Sequence, residues 1–214
     1  MNASSLKSAV ESISRLMTEN RDYLVQLDQQ NGDGDLGISM AAGFKAVLDY
    51  LSAAGTEEKD LGKLFMKSSA ALNEAAPSSL GTILSIGIMG MAKALKGKEE
   101  AGLAEIAAAM EAALAAIMEK AKSKPGEKTI LDALCPAVEA LKSAAASGET
   151  GNPVSAWKNA AEAAARGSES TREMKSVHGR AAYYGEKSIG ILDGGSVVGK
   201  LIFEGIHQWK THGC

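Results

Sequence analysis

Along most of the chain, apolar residues recur at steps of three and four, the spacing that lines one face of a helix. The clearest run is GLAEIAAAMEAALAAIMEKAKSK, where Leu103, Ile106, Met110, Leu114, Ile117 and Ala121 share a face. Pro125-Gly126 is expected to end it, and Thr129 followed by Asp132 resembles a capping box with Asp at the third position. ILDALCPAVEALKSAAAS reads as the next helix, with Pro136 in its first turns or at a kink. Asn152 can then cap, and Pro153 open, a helix carrying VSAWKNAAEAAARGSEST. Upstream, one helix is expected from about Ser5 to Leu27 and another from about Ile38 to Ala53. Two more cover EKDLGKLFMKSSAALNEA and SSLGTILSIGIMGMAKALKG, and a last runs from about Ser196 to Trp209. Alternating segments are missing, although KSIGILD could form one strand. The count approaches eight helices, which predicts an all-α fold, an antiparallel eight-helix barrel or bundle in a single domain over 1–214.

Composition supports helix over sheet, with many alanines and only 4% aromatic residues. A formal net charge of −3 and scattered basic residues give no field for nucleic acid. The longest apolar stretch, LGTILSIGIMGMAKAL, is short of a bilayer span, and the N-terminal residues lack the apolar core of a signal peptide. Cys135 and Cys214 make no disulfide framework and read as reduced thiols. A cytoplasmic protein that binds neither nucleic acid nor membrane is the expectation.

Two glycine-rich segments interrupt the helical pattern, and long irregular connections in compact domains are more often functional than incidental. The first is LDQQNGDGDLGISM, which crowds Asp28, Asp33 and Asp35 among Gly32, Gly34 and Gly37. It satisfies G-x-G-x-x-G, but the aspartates would oppose a bare pyrophosphate and no strand precedes them. An EF-hand register fails because Leu36 and Ala42 would occupy the obligatory glycine and glutamate positions. Magnesium suits the segment better, being held by one or two carboxylates together with phosphate oxygens and waters. The helix starting near Gly37 could offer free N–H groups to those phosphates. A solvated acidic turn with Asp as helix cap is the other reading, and the residues alone leave both open.

The second segment is SVHGRAAYYGEKSIGILDGGSVVGK. GGSVVGK followed by Leu201 nearly matches a P-loop, yet Leu201 stands where a hydroxyl must bind magnesium and no parallel strands support the fold. Asp193 can cap a helix whose first N–H groups bind anions, and Arg180 could pair with a phosphate. An ordinary cap and a surface ion pair explain the same residues. His178 could touch such a site, while His207 and His212 read as surface residues.

Taken together, LDQQNGDGDLG, KPGEKTILDALCP and HGRAAYYGEKSIGILDGG resemble, in order and separation, three segments of the nucleotide-binding L subunit of dihydroxyacetone kinase and the matching domain of its single-chain forms. The resemblance spans nearly the whole chain. It implies an eight-helix barrel that binds ADP or ATP with two magnesium ions. Asp28, Asp33 and Asp35 match the metal ligands. Arg180, Asp193 and Gly195 match nucleotide contacts, with Gly194 replacing a proline between them. Gly37 and Ser39 fall in the phosphate-approaching segment, and Ile130 falls beside the base. Two departures stand out. Leu36 occupies a position usually held by histidine, and the family's glycine-serine loop is shortened to AAPSSLGT, where Ser78, Ser79 and Thr82 can still offer hydroxyls and helix-start N–H groups.

The resemblance further implies phosphoryl transfer by positioning and electrostatics, with Arg180 and helix-start N–H groups stabilising equatorial oxygens. The acceptor is dihydroxyacetone or a related small ketose or polyol held on a partner K subunit. ATP could exchange as a substrate, or ADP could stay bound and be rephosphorylated by a phosphocarrier protein of the sugar phosphotransferase system. A homodimer is compatible with either mode. The rivals are a regulatory module that binds nucleotide without transfer and a purely structural helical protein.

Overall fold

The computed structural model describes residues 1–54, 57–147 and 153–212. Among these, nine α-helices and two short 3-10 segments account for the regular structure, and no strand occurs. The helices are α1 (Ala3–Glu19), α2 (Arg21–Asp28), α3 (Leu36–Ala54), α4 (Leu61–Ala75), α5 (Ser79–Ala94), α6 (Leu103–Ala121), α7 (Leu131–Ala146), α8 (Pro153–Ser170) and α9 (Gly194–His212). None is long and apolar enough to cross a membrane among the described residues.

The expected first helix is two. Asn20 leaves helical geometry at φ −97°, ψ 7°, and its side-chain amide donates to Leu16 O at 2.9 Å. An asparagine that bonds the preceding turn competes with helix continuation, so the chain bends and α2 starts afresh. Similarly, α6 stops at Ala121, before Pro125-Gly126, because Lys122 takes a left-handed conformation. The helix begins at Pro153 as expected, while Asn152 and Cys214 lie outside the described residues. KSIGILD closes a 3-10 segment (Arg180–Ser188) and turns into α9 instead of forming a strand.

Consecutive helices from α3 to α9 pack against one another, α9 returns to α1, and α1 packs on α3. The short α2 lies against α3. One apolar cluster runs through these contacts, including Met17, Met40, Leu64, Leu72, Leu141 and Phe203. It surrounds an apolar cavity of about 150 Å³, into whose wall Ser68 brings a hydroxyl without a hydrogen-bond partner. No candidate site residue lines that cavity.

Pro136 lies inside α7, and having no N–H it leaves the Asp132 carbonyl without its usual helical partner. α8 closes over this point through Gly167. A β-carbon there would stand 2.0 Å from the Asp132 oxygen and 2.9 Å from the Pro136 ring. The crossing matters for function because Ile130 and Asp132 sit at the start of α7. Gly167→Ala would recover about 1 kcal/mol of helix propensity. Overpacking against rigid backbone costs about 1–3 kcal/mol, and a carbonyl cannot turn aside as a side chain does. The variant should therefore unfold at lower urea concentration than the native chain. An unchanged midpoint would show that the α7–α8 crossing has room to yield.

Candidate functional site

Asp28 ends α2, and Asp33 and Asp35 follow in the turn before α3. One oxygen from each lies within 4.8 Å of the others. The turn is held by Gly34 at φ +79°, whose amide donates to Asp28 Oδ2 at 2.7 Å. A side chain rarely adopts that angle, so glycine is needed to bring the carboxylates together. Loss of hydration, then the charges of Asp33 and Asp28, raise the Asp35 carboxyl above its ordinary range, and Arg180 opposes the shift. The Arg180 guanidinium reaches Asp33 at 2.9 Å. This set of hard oxygen donors, short of positive charge and partly open to solvent, fits a divalent cation of the magnesium type.

Four helix starts gather at the end of the molecule that carries the acidic turn. Ser39, in the first turn of α3, shares a hydrogen bond of 3.1 Å with Ser78, the residue that caps α5. Leu36 at the head of α3 covers Gly194 at the head of α9, where a β-carbon would stand 2.5 Å from the leucine methyl. Gly195 faces Ile130, the residue before α7. First-turn amides have no intrahelical acceptor, so four sets of N–H groups point toward this end of the molecule. Ser79 and Thr82 are exposed on α5, and neither hydroxyl bonds the cluster. Gly37 is buried, and a β-carbon there would stand 2.0 Å from Arg21 O, so its absent side chain lets α3 pack on α2. GGSVVGK forms the first turns of α9, which removes the P-loop reading.

Across from the aspartates, the excursion between α8 and α9 is organised by residues that precede α7. His178 Nε2 meets Glu127 Oε2 at 2.6 Å, and this contact, followed by the Lys124 amide, holds the Glu127 carboxyl below its usual range. Asp132 accepts from the amides of Gly126 and Thr129, while the Thr129 hydroxyl accepts from Leu131, a variant of the expected capping box. Lys128, only 3% exposed, has its ammonium among the carbonyls of Thr171, Met174, Ser188 and Ile191. Burial draws its pKa down, opposed by the charge of Asp193. Sequence reasoning missed Lys128 because it sits among polar residues in a stretch with no helical period.

Asp193 caps α9 through Ser196 N at 2.6 Å, and its own amide donates to Thr171 Oγ1 at 3.1 Å. Loss of hydration pushes its carboxyl up to about 7, against the Ser196 hydrogen bond, with Asp132 adding to the rise. Burial likewise raises the Cys135 thiol to about 11, so it carries no reactive thiolate. His207 is half-buried with Nδ1 unpartnered, contrary to a surface placement.

The DAK2 domain profile matches residues 30–208. The chain is 32% identical over 187 residues to "PEP-dependent dihydroxyacetone kinase 2, ADP-binding subunit DhaL" of Listeria innocua, covering 87% of this chain and 85% of that protein. To that organism's kinase 1 ADP-binding subunit it is 33% identical over 197 residues, covering 90% and 89%. The crystal structure of the dihydroxyacetone kinase of C. freundii superposes with a TM-score of 0.75 at 23% identity, covering 97% of this chain and 34% of that one. The latter likeness speaks for the fold. The extent and identity of the sequence matches settle the grouping: this chain belongs to the DAK2-domain family, alongside the ADP-binding subunits of dihydroxyacetone kinases.

Proposed function

We propose that the chain is the nucleotide-binding component of a phosphotransferase that passes a phosphoryl group to dihydroxyacetone or a related small ketose or polyol on a K-type partner subunit. The observation that carries this reading is the gathering of Asp28, Asp33, Asp35 and Arg180 at the starts of α3, α5 and α9. Asp28, Asp33 and Asp35 would hold one or two magnesium ions, which neutralise phosphate charge when bound. Arg180 pairs with charged oxygens in a fork geometry suited to phosphate, and the first-turn amides near Gly37, Ser79, Gly194 and Gly195 add donors for an anion. Ser39 and Ser78 bring hydroxyls to the same place, Thr82 lies one turn into α5, and Ile130 offers an apolar surface beside Gly195.

The chain matches separate ADP-binding subunits over 85% and 89% of their length. The description of those relatives as ADP-binding subunits of PEP-dependent kinases supports resident ADP recharged by a phosphocarrier protein over exchanging ATP. The same reading takes the closed run of helix contacts as an eight-helix barrel, with α2 appended to it. A second reading, nucleotide binding without transfer, draws on Leu36, which covers Gly194 with an apolar side chain at the mouth of the site. Phosphotransfer to the ketose in the presence of the K subunit separates the two.

With ligand at a hundredfold excess over its dissociation constant, ADP and magnesium together should stabilise the stripped protein by about 2.7 kcal/mol in a thermal melt. Asp33→Asn and Asp35→Asn should each abolish that shift and leave the ligand-free helical spectrum unchanged. A full shift in both variants would take these residues out of the site.

Asp193 carries a separate expectation. Its carboxyl has an ordinary pKa of 3.8 and one of about 7 in the fold, so between those values the folded chain keeps a proton that the unfolded chain has lost. The resulting stability is complete below about pH 4 and disappears as pH rises through about 7. Asp193→Asn retains a capping oxygen and removes the titration. The variant's melting temperature, relative to the native one, should rise between about pH 5 and about pH 8 in chelator-treated buffer. A constant difference would mean that Asp193 is charged throughout.

A further inference from the structure

Lysine is rarely buried without an anionic partner, and Lys128 has none within bonding distance. Its ammonium lies instead 2.8 Å from Thr171 O, 3.1 Å from Met174 O, 2.7 Å from Ser188 O and 2.6 Å from Ile191 O. An ammonium has three N–H donors, so four carbonyls at these distances share one positive charge, as oxygens share a monovalent cation. The backbone of Lys128 is itself held at φ +58°, an unfavourable conformation for a residue with a side chain.

The positions of the four carbonyls give the arrangement its meaning. Thr171 and Met174 belong to the stretch leaving α8, and Ser188 and Ile191 to the stretch approaching α9. The excursion between them carries His178, held by the adjacent Glu127, and Arg180, which reaches Asp33. We infer that Lys128 is a positioning residue whose ammonium clasps the two ends of the 171–191 excursion as a tethered cation, and so holds Arg180 over the acidic turn. The link from the clasp to nucleotide rests on the function proposed above; the clasp itself does not.

Lys128→Ala removes the atoms of a propylammonium ion, which supplies a selective test in the full chain. Backbone amides of residues 172–192 should exchange with deuterium at least ~10-fold faster in the variant, with protection in α3 to α6 retained. Propylammonium chloride should restore protection, whereas propanol and sodium chloride should not. Magnesium-ADP affinity should fall ~10-fold in the variant and recover with propylammonium alone. Native exchange in the variant, or equal rescue by propanol, would overturn the clasp. If Lys128→Ala does not fold, Lys128→Met keeps most of the stem and removes the charge. Local loosening in it supports the inference, and native exchange or loss of protection throughout the bundle overturns it. Failure of the native protein to bind magnesium-ADP would sink the proposed function while the exchange data still judged the clasp.

Discussion

The ammonium of Lys128 does for the irregular part of this protein what helical hydrogen bonds do for the rest. Residues 171–193 bury few side chains, and the links between their two ends, such as Gly190 N–H to Arg172 O at 2.7 Å and Ser176 N–H to Ser188 Oγ at 2.9 Å, need a further reason to hold one shape. Four main-chain carbonyls directed at one buried cation supply such a reason. A charge removed from water must be surrounded by oxygen, and the Met174 and Ile191 carbonyls, unlike those of Thr171 and Ser188, have no backbone donor among the described residues. Each requirement is met by the other. From that point outward, the Glu127–His178 pair and the Arg180–Asp33 pair place the excursion against the acidic turn.

The opposite wall depends on helix starts. α3, α5, α7 and α9 begin near one another because their apolar faces share one core. Contacts too small to be conspicuous in sequence set the distances. Gly37 lets α3 approach the Arg21 carbonyl, Gly167 lets α8 approach the Asp132 carbonyl, and Gly194 lies under Leu36. The last contact joins two of the positions at which the sequence departs from the resemblance. An unbranched backbone at 194 accommodates a larger apolar side chain at 36, so these residues are one local packing solution.

Helix content was readable because three- and four-residue periodicity follows directly from helical geometry. Its errors lie where a single side chain outweighs the period. Asn20 breaks the expected first helix by bonding the previous turn, and Lys122 ends α6 ahead of its proline. The aspartates were readable for a related reason. Asp28, Asp33 and Asp35 lie so close in sequence that a single glycine-bearing turn suffices to gather them. Ser39 and Ser78, by contrast, are paired only by the packing of α3 near α5, and Ser79 and Thr82 stay exposed beside them.

By itself, then, the sequence determined the helical class, the acidic turn and the family, since each depends on neighbours along the chain or on ordered motifs. Tertiary structure alone decided that Lys128 is buried, that Arg180 faces Asp33, and that Leu36 covers Gly194. It also decided that Asp193, which would pass for a simple cap, has a carboxyl shifted to about 7. Burial and charge proximity are sums over residues distant in sequence, and no local pattern encodes them.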